Sequence, residues 1–151
     1  MSLLALWFTT VLVCVAGAII PFVNTEIYLV SVAAMSPPAF IPPLVVAATI
    51  GQMVGKVAMF YAGRGVVRLP NERVKQGVTA MRARLEKRPR TSGWVLFSSS
   101  LIGVPPLYVM AIACGTIGMG IVPFILIGTV GRLIHFAVVA MIPDLARSLF
   151  G

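Results

Sequence analysis

Glu26 is the residue around which any chemistry in this chain would be arranged. Four acidic residues occur in 151, and two of them, Glu72 and Glu86, lie in a basic stretch. Asp144 follows the last apolar run, so Glu26 alone is set deep in apolar sequence, within I-I-P-F-V-N-T-E-I-Y from Ile19 to Tyr28. A charge at the centre of a bilayer costs about 2.5–3.5 kcal/mol on insertion scales, so such a group usually faces a cavity, a partner or a substrate path. There it can carry a proton or pair with a cation. Arg132 is the leading partner and could itself attract a phosphate; His135, one turn on, could join a relay. The plainer readings are a structural ion pair or turn cap for Glu26 and Arg132, and a packed ring for His135. Lys56 divides evenly between an anchor that snorkels toward Arg64 and a group on the pathway. Asn24 beside Glu26, and Pro105, Pro106 and Tyr108 at a second break, complete the candidate substrate or proton pathway. The sequence holds no paired-carboxylate site, metal-ligand cluster, nucleophile–base set or glycine-rich phosphate loop, so no enzyme, cofactor or metal is expected.

The elements that must position these groups belong to a membrane protein. Hydrophobic residues make up 59% and charged residues 11%, with a mean hydropathy of +1.01; a soluble domain has roughly 25% charged residues. The length suits a single membrane domain, residues 1–151. Nine of twelve basic residues fall between Arg64 and Arg90, so the net charge of +8 reads as a topological signal rather than a nucleic-acid surface. By the positive-inside rule the linker 64–92 is cytoplasmic. Cys14 and Cys114 read as small buried hydrophobes. No Lys or Arg precedes the run Leu3–Ile20, and no small residue precedes Cys14, so this run is expected in the mature protein.

The first apolar run, Leu3–Ile20, ends at Pro21, and the next, Ile27–Met35, is too short to span alone. Ser36–Pro43 carries four prolines and is not expected to form regular helix. Two short arms around a polar turn predict a re-entrant hairpin, with a full-span helix plus surface loop as the alternative. A transmembrane helix is predicted over Leu44–Ala62, where Gly51-x-x-x-Gly55 allows close packing and leaves a homodimer open. After Pro70, Asn71 is placed as the N-cap of an amphipathic helix whose stripe is Val74, Val78, Met81 and Leu85. Its basic residues Arg73, Lys75, Arg82, Arg84, Lys87 and Arg88 suit an anionic leaflet, and Pro89 ends it. Downstream the arms Trp94–Ser100 and Leu107–Cys114 flank Gly103–Pro106, then Gly115, Gly118 and Gly120 interrupt the chain. The last helix is predicted over Pro123–Ile142, with Gly128 and Gly131 inside it.

The halves align without gaps at an offset of 80 residues: Tyr28 meets Tyr108, Ala33 meets Ala113, Pro43 meets Pro123 and Gly51 meets Gly131. Repeat one (3–63), the linker helix (64–92) and repeat two (93–143) therefore predict an all-α protein of two inverted repeats, each a hairpin plus a transmembrane helix.

Several of these residues also carry a resemblance. P-F-V-N-T-E at 21–26, G-x-x-x-G followed by Y-A-G-R at 51–64, V-P-P-x-Y-x-x-A-I-A-C-G at 104–115 and G-R at 131–132 resemble the DedA (VTT-domain, SNARE-associated Golgi protein) superfamily, within it the YqaA-like branch. The resemblance covers roughly residues 15–140. It implies two re-entrant hairpins pointing at each other from opposite leaflets, in a bacterial inner membrane. It further implies movement of phospholipid or polyprenyl-phosphate lipid between leaflets, driven by protons in some members. Glu26 matches the acidic position of the family's first hairpin, and Arg132 a basic position of its last helix. Many members carry arginines in the second hairpin turn, where this chain has Leu101-Ile102-Gly103.

The expected function is thus a lipid translocase or scramblase acting on membrane phospholipids, with proton coupling open. The alternatives are a small proton-coupled solute or multidrug exporter and an assembly factor with no transport of its own.

Overall fold

The computed structural model describes residues 2–20, 24–65, 72–88, 91–104 and 106–150. Pro21–Val23, Pro70, Asn71, Pro89 and Pro105 lie outside the described residues, and with them the expected N-cap and stop of the linker helix and one candidate of the second break. Among the described residues the chain is helical, without strands. Helix α1 spans Leu3–Ile19, α2 Thr25–Met35, α3 Ile41–Gly63, α4 Glu72–Lys87, α5 Ser92–Ile102, α6 Leu107–Thr116 and α7 Ile121–Phe150. Two stretches, Pro38–Gly63 and Ile121–Ala146, are long and apolar enough to cross a bilayer.

Local chemistry accounts for most of these limits. The Ser2 side chain accepts from the Ala5 amide to start α1, and Asn24 Oδ1 accepts from the amides of Glu26 and Ile27 to start α2. Gly103 closes α5 and Gly118 follows α6, both at positive φ, where a side chain would be strained. The expectation that Ser36–Pro43 excludes regular helix fails at its end, and the expected end of the last helix falls short. Pro42 and Pro43 sit inside the first turn of α3, which begins at Ile41, after a 3-10 turn at Pro38–Phe40. First-turn amides have no partner in the helix, so proline costs little there. Pro143 lies within α7, which runs eight residues beyond the expected end at Ile142 and includes Asp144. The helix outlasts the carbonyl that this proline leaves unbonded.

The helices build two compact units, Met1–Gly55 with Arg132–Gly151 and Lys56–Gly131. In the first unit α1, α2, the start of α3 and the end of α7 share a core that includes Cys14, Leu29, Leu44, Ala48, Phe136 and Ala140. Its close approach is α3 on α1. A Cβ on Gly51 would fall 2.5 Å from the Val11 carbonyl oxygen and 2.8 Å from Cys14 Cβ, and one on Gly55 2.3 Å from Ala18 Cβ.

The second unit is built on α6, whose residues from Val109 to Gly115 are all buried. Such a helix is apolar all round because protein covers every face. Gly63 of α3 lies against the Ile112 carbonyl, and Gly115 of α6 against the Phe60 carbonyl. Gly115 therefore does not interrupt the helix as expected; it lets α6 meet α3 backbone to backbone. Phe60 stacks on Phe124 of α7 at 4.8 Å, and Arg64 Nη2 donates to the Met119 carbonyl at 2.8 Å, tying down the α6–α7 turn. Gly131 leaves room for α5: a Cβ there would meet Ser100 Cβ at 2.6 Å and the Phe97 carbonyl oxygen at 3.3 Å. Ser100 Oγ donates to the Gly128 carbonyl at 2.6 Å.

Helix α4 corrects the interfacial reading of its stripe. Val78, Met81 and Leu85 are buried within the second unit, where α4 packs on α6 and Gly77 faces Val109. Of the stripe, Val78, Met81 and Leu85 are covered by protein, and the basic residues are left on the exposed face. Leu85→Ala should cost about 2–5 kcal/mol at a fully packed position. The expected result is faster trypsin cleavage within 72–88 and a lower unfolding temperature, with Lys87→Ala unchanged in both.

Candidate functional site

Several polar groups of the first unit gather at the first turn of α2. Asn24 caps the helix and places Glu26 in that turn, where the positive end of the helix dipole favours a carboxylate. Glu26 Oε1 lies 2.9 Å from Nε2 of His135 on α7. An ionised carboxylate only accepts, so the imidazole presents its Nε2 proton to it. The His135 side chain is 14% exposed and that of Glu26 50%. The pair thus joins a sheltered ring to an accessible acid.

Arg132 lies one turn before His135 and is 8% exposed, its guanidinium 5.5 Å from the centre of the Phe136 ring. Among the described residues the direct contact of Glu26 is with His135 rather than with Arg132. Its buried Nε has no acceptor among the described residues. An unpaired buried donor costs about 1–3 kcal/mol, more when charged, so this edge of the guanidinium favours an incoming oxygen. The anticipated partner Arg132 thus gives way to His135, which is a hydrogen-bonding partner of Glu26 rather than packing alone, with Arg132 one turn along the same helix.

Gln52 was missed by the sequence reading. It is buried on α3, donates through Nε2 to Thr25 Oγ1 at 2.9 Å, and leaves Oε1 without a donor among the described residues. It therefore braces the residue next to Glu26. The available signal was an amide beside Gly51 inside an apolar helix. The hydroxyls of Thr10 and Tyr28 meet at 3.2 Å, joining α1 to the same turn of α2.

The remaining candidates belong to the second unit. Lys56 is buried and does not snorkel; its ammonium lies 5.9 Å from the centre of the Tyr108 ring. Pro106 is exposed and caps α6. On α4, Lys75 pairs with Glu72 at 2.6 Å and Arg82 with Glu86 at 2.7 Å, all largely exposed. Such pairs contribute little to stability. Arg73, Arg84, Lys87 and Arg88 are exposed as well.

The arrangement around Glu26 can exchange a proton between carboxylate and imidazole and can offer a guanidinium N–H to an oxyanion. Comparison of the chain with protein-family models, with curated proteins and with solved structures found no match.

Proposed function

We propose that the protein is an integral membrane protein that moves phospholipid or polyprenyl-phosphate lipid between leaflets. The observation that carries this reading is the Glu26–His135 pair at a helix-pair turn, with Arg132 and its unpartnered Nε one turn away. A lipid head group needs a polar route through an apolar wall, and its phosphate needs a cation already held in place. Glu26 is held by His135 while the route is empty; a phosphate oxygen takes the free N–H of Arg132 when a head group enters.

A membrane setting is supported by what the molecule leaves uncovered. Only 33% of the hydrophobic window of α7 is buried, and Val122, Leu126, Val138, Met141 and Leu145 are open. A soluble monomer rarely exposes apolar surface of that extent. Helices α1, α2, α5 and α6 are apolar yet have only 10–17 residues, short of the roughly 20 needed to cross. Paired α1 with α2 and α5 with α6, they suit re-entrant hairpins.

The repeat is supported by similar contacts inside each unit, with the glycines 80 residues apart and their partners 86 apart. Gly51 meets a carbonyl and the Cβ three residues on, at Val11 and Cys14; Gly131 does the same at Phe97 and Ser100. Each unit contains one hairpin, the first half of one long helix and the second half of the other. Shifting the first unit by 80 residues nearly reproduces the second.

The test is leaflet exchange of labelled phospholipids in proteoliposomes, with and without a pH gradient. Exchange above protein-free vesicles, reduced at least about tenfold in Arg132→Ala, is expected, since a charged hydrogen bond contributes about 1.5–3 kcal/mol. Exchange absent from the wild type under every gradient would overturn the reading and leave solute export or an assembly role.

A further inference from the structure

A groove of about 320 Å³ in the second unit lies where the end of α4 meets the start of α5. Its polar rim is Arg84, Arg88 and Thr91, and its floor is Met81, Leu85, Val95 and Val104. The charges of α4 are not alike. Both of its acids are engaged, Glu72 by Lys75 and Glu86 by Arg82, while no carboxylate among the described residues pairs with Arg84 or Arg88. Both arginines line the groove, Arg84 in the last turn of α4 and Arg88 just past its end, so two like charges share one rim and repel. An anion between them turns that repulsion into two charge-assisted hydrogen bonds, with the Thr91 hydroxyl as a third donor.

The apolar floor decides what kind of anion. Free phosphate gains nothing from Met81, Leu85, Val95 and Val104, whereas an acyl chain is stabilised by each apolar area it covers. The floor is also open at one end: Val104 is itself exposed, as is Ile102 two residues before it. We infer that this groove is a binding site for an anionic phospholipid, its phosphate held by Arg84, Arg88 and Thr91 and its chain running over Val95 and Val104. The inference rests on the chain being membrane-embedded, but not on transport. It involves none of Glu26, His135 and Arg132, so lipid exchange could fail while this site still binds.

Native mass spectrometry of the full chain in detergent tests it, with phosphatidylglycerol, phosphatidylcholine of the same acyl chains, and inorganic phosphate as probes. Phosphatidylglycerol should bind at least about tenfold more tightly than phosphatidylcholine, and R84Q/R88Q should lose at least that factor. K75Q/R82Q, which removes equal charge from the same helix at residues already paired, should keep its affinity within about threefold. An equal loss in both double variants would reduce the effect to general surface charge and overturn the site. So would equal binding of phosphatidylcholine, or displacement of the lipid by millimolar phosphate. Should R84Q/R88Q fail to fold, Val104→Asp places a carboxylate at an exposed position of the floor; unchanged phosphatidylglycerol binding there would equally overturn it.

Discussion

Gly115→Ala is expected to abolish most of the folded protein, measured as monodisperse yield and unfolding temperature in detergent. A Cβ at this position would stand 2.0 Å from the Phe60 carbonyl oxygen, and one at Gly63 2.1 Å from that of Ile112. Both obstacles are backbone, which cannot rotate away as a side chain can. Overpacking a core costs about 1–3 kcal/mol when side chains can adjust, and more where the backbone must move. The two glycines face each other's helices at one crossing, so relief requires α3 and α6 to separate. Separation would expose the apolar surface of α6, the helix on which the second unit is built. Gly93→Ala is the control, since its Cβ would meet only Ile127 Cδ1, at an ordinary 3.5 Å. If Gly115→Ala unfolds no more easily than Gly93→Ala, the backbone-to-backbone crossing is wrong.

Glu26→Gln is expected to reduce leaflet exchange by about ten- to a hundredfold without loss of folded protein. The factor is that of one charge-assisted hydrogen bond, about 1.5–3 kcal/mol, removed from the His135 contact. Folding should survive because the Glu26 side chain is half exposed, and the Asn24 cap uses the Glu26 amide, which glutamine retains. His135→Ala should lower the rate comparably by removing the other end of the contact. His135→Gln separates position from proton transfer, since it supplies an N–H donor but cannot take up a second proton. Exchange that continues in His135→Gln but no longer responds to a pH gradient assigns proton movement to the imidazole. A wild-type response in that variant would remove His135 from any relay, and normal exchange in Glu26→Gln would remove the site.

The sequence by itself determined the elements and the residue to watch, because both are written in local chemistry. Glu26 was legible as the acid of a polar break, and the structure adds that Asn24 caps α2 and brings Glu26 into its first turn, a matter settled within a few residues. The apolar lengths of α1, α3 and α7 follow from composition alone, as does the basic character of α4. The start of α3 was misjudged because Pro42 and Pro43 were read as excluding helix, whereas the cost of a proline depends on whether its missing amide had a partner.

Only the tertiary structure decided which polar groups meet and what covers each apolar stripe. Spacing could propose Arg132 for Glu26, but the contact went to His135, one turn along the same helix; such a choice depends on helix rotation, which sequence separation does not encode. The stripe of Val78, Met81 and Leu85 has the same period whether lipid or α6 lies against it, and here it is α6. Gln52 beside Thr25 was likewise invisible until two distant stretches were brought together. Around Glu26, the sequence supplied the acid and its turn, and the packing of α7 and α3 supplied the imidazole, the guanidinium and the amide that give it partners.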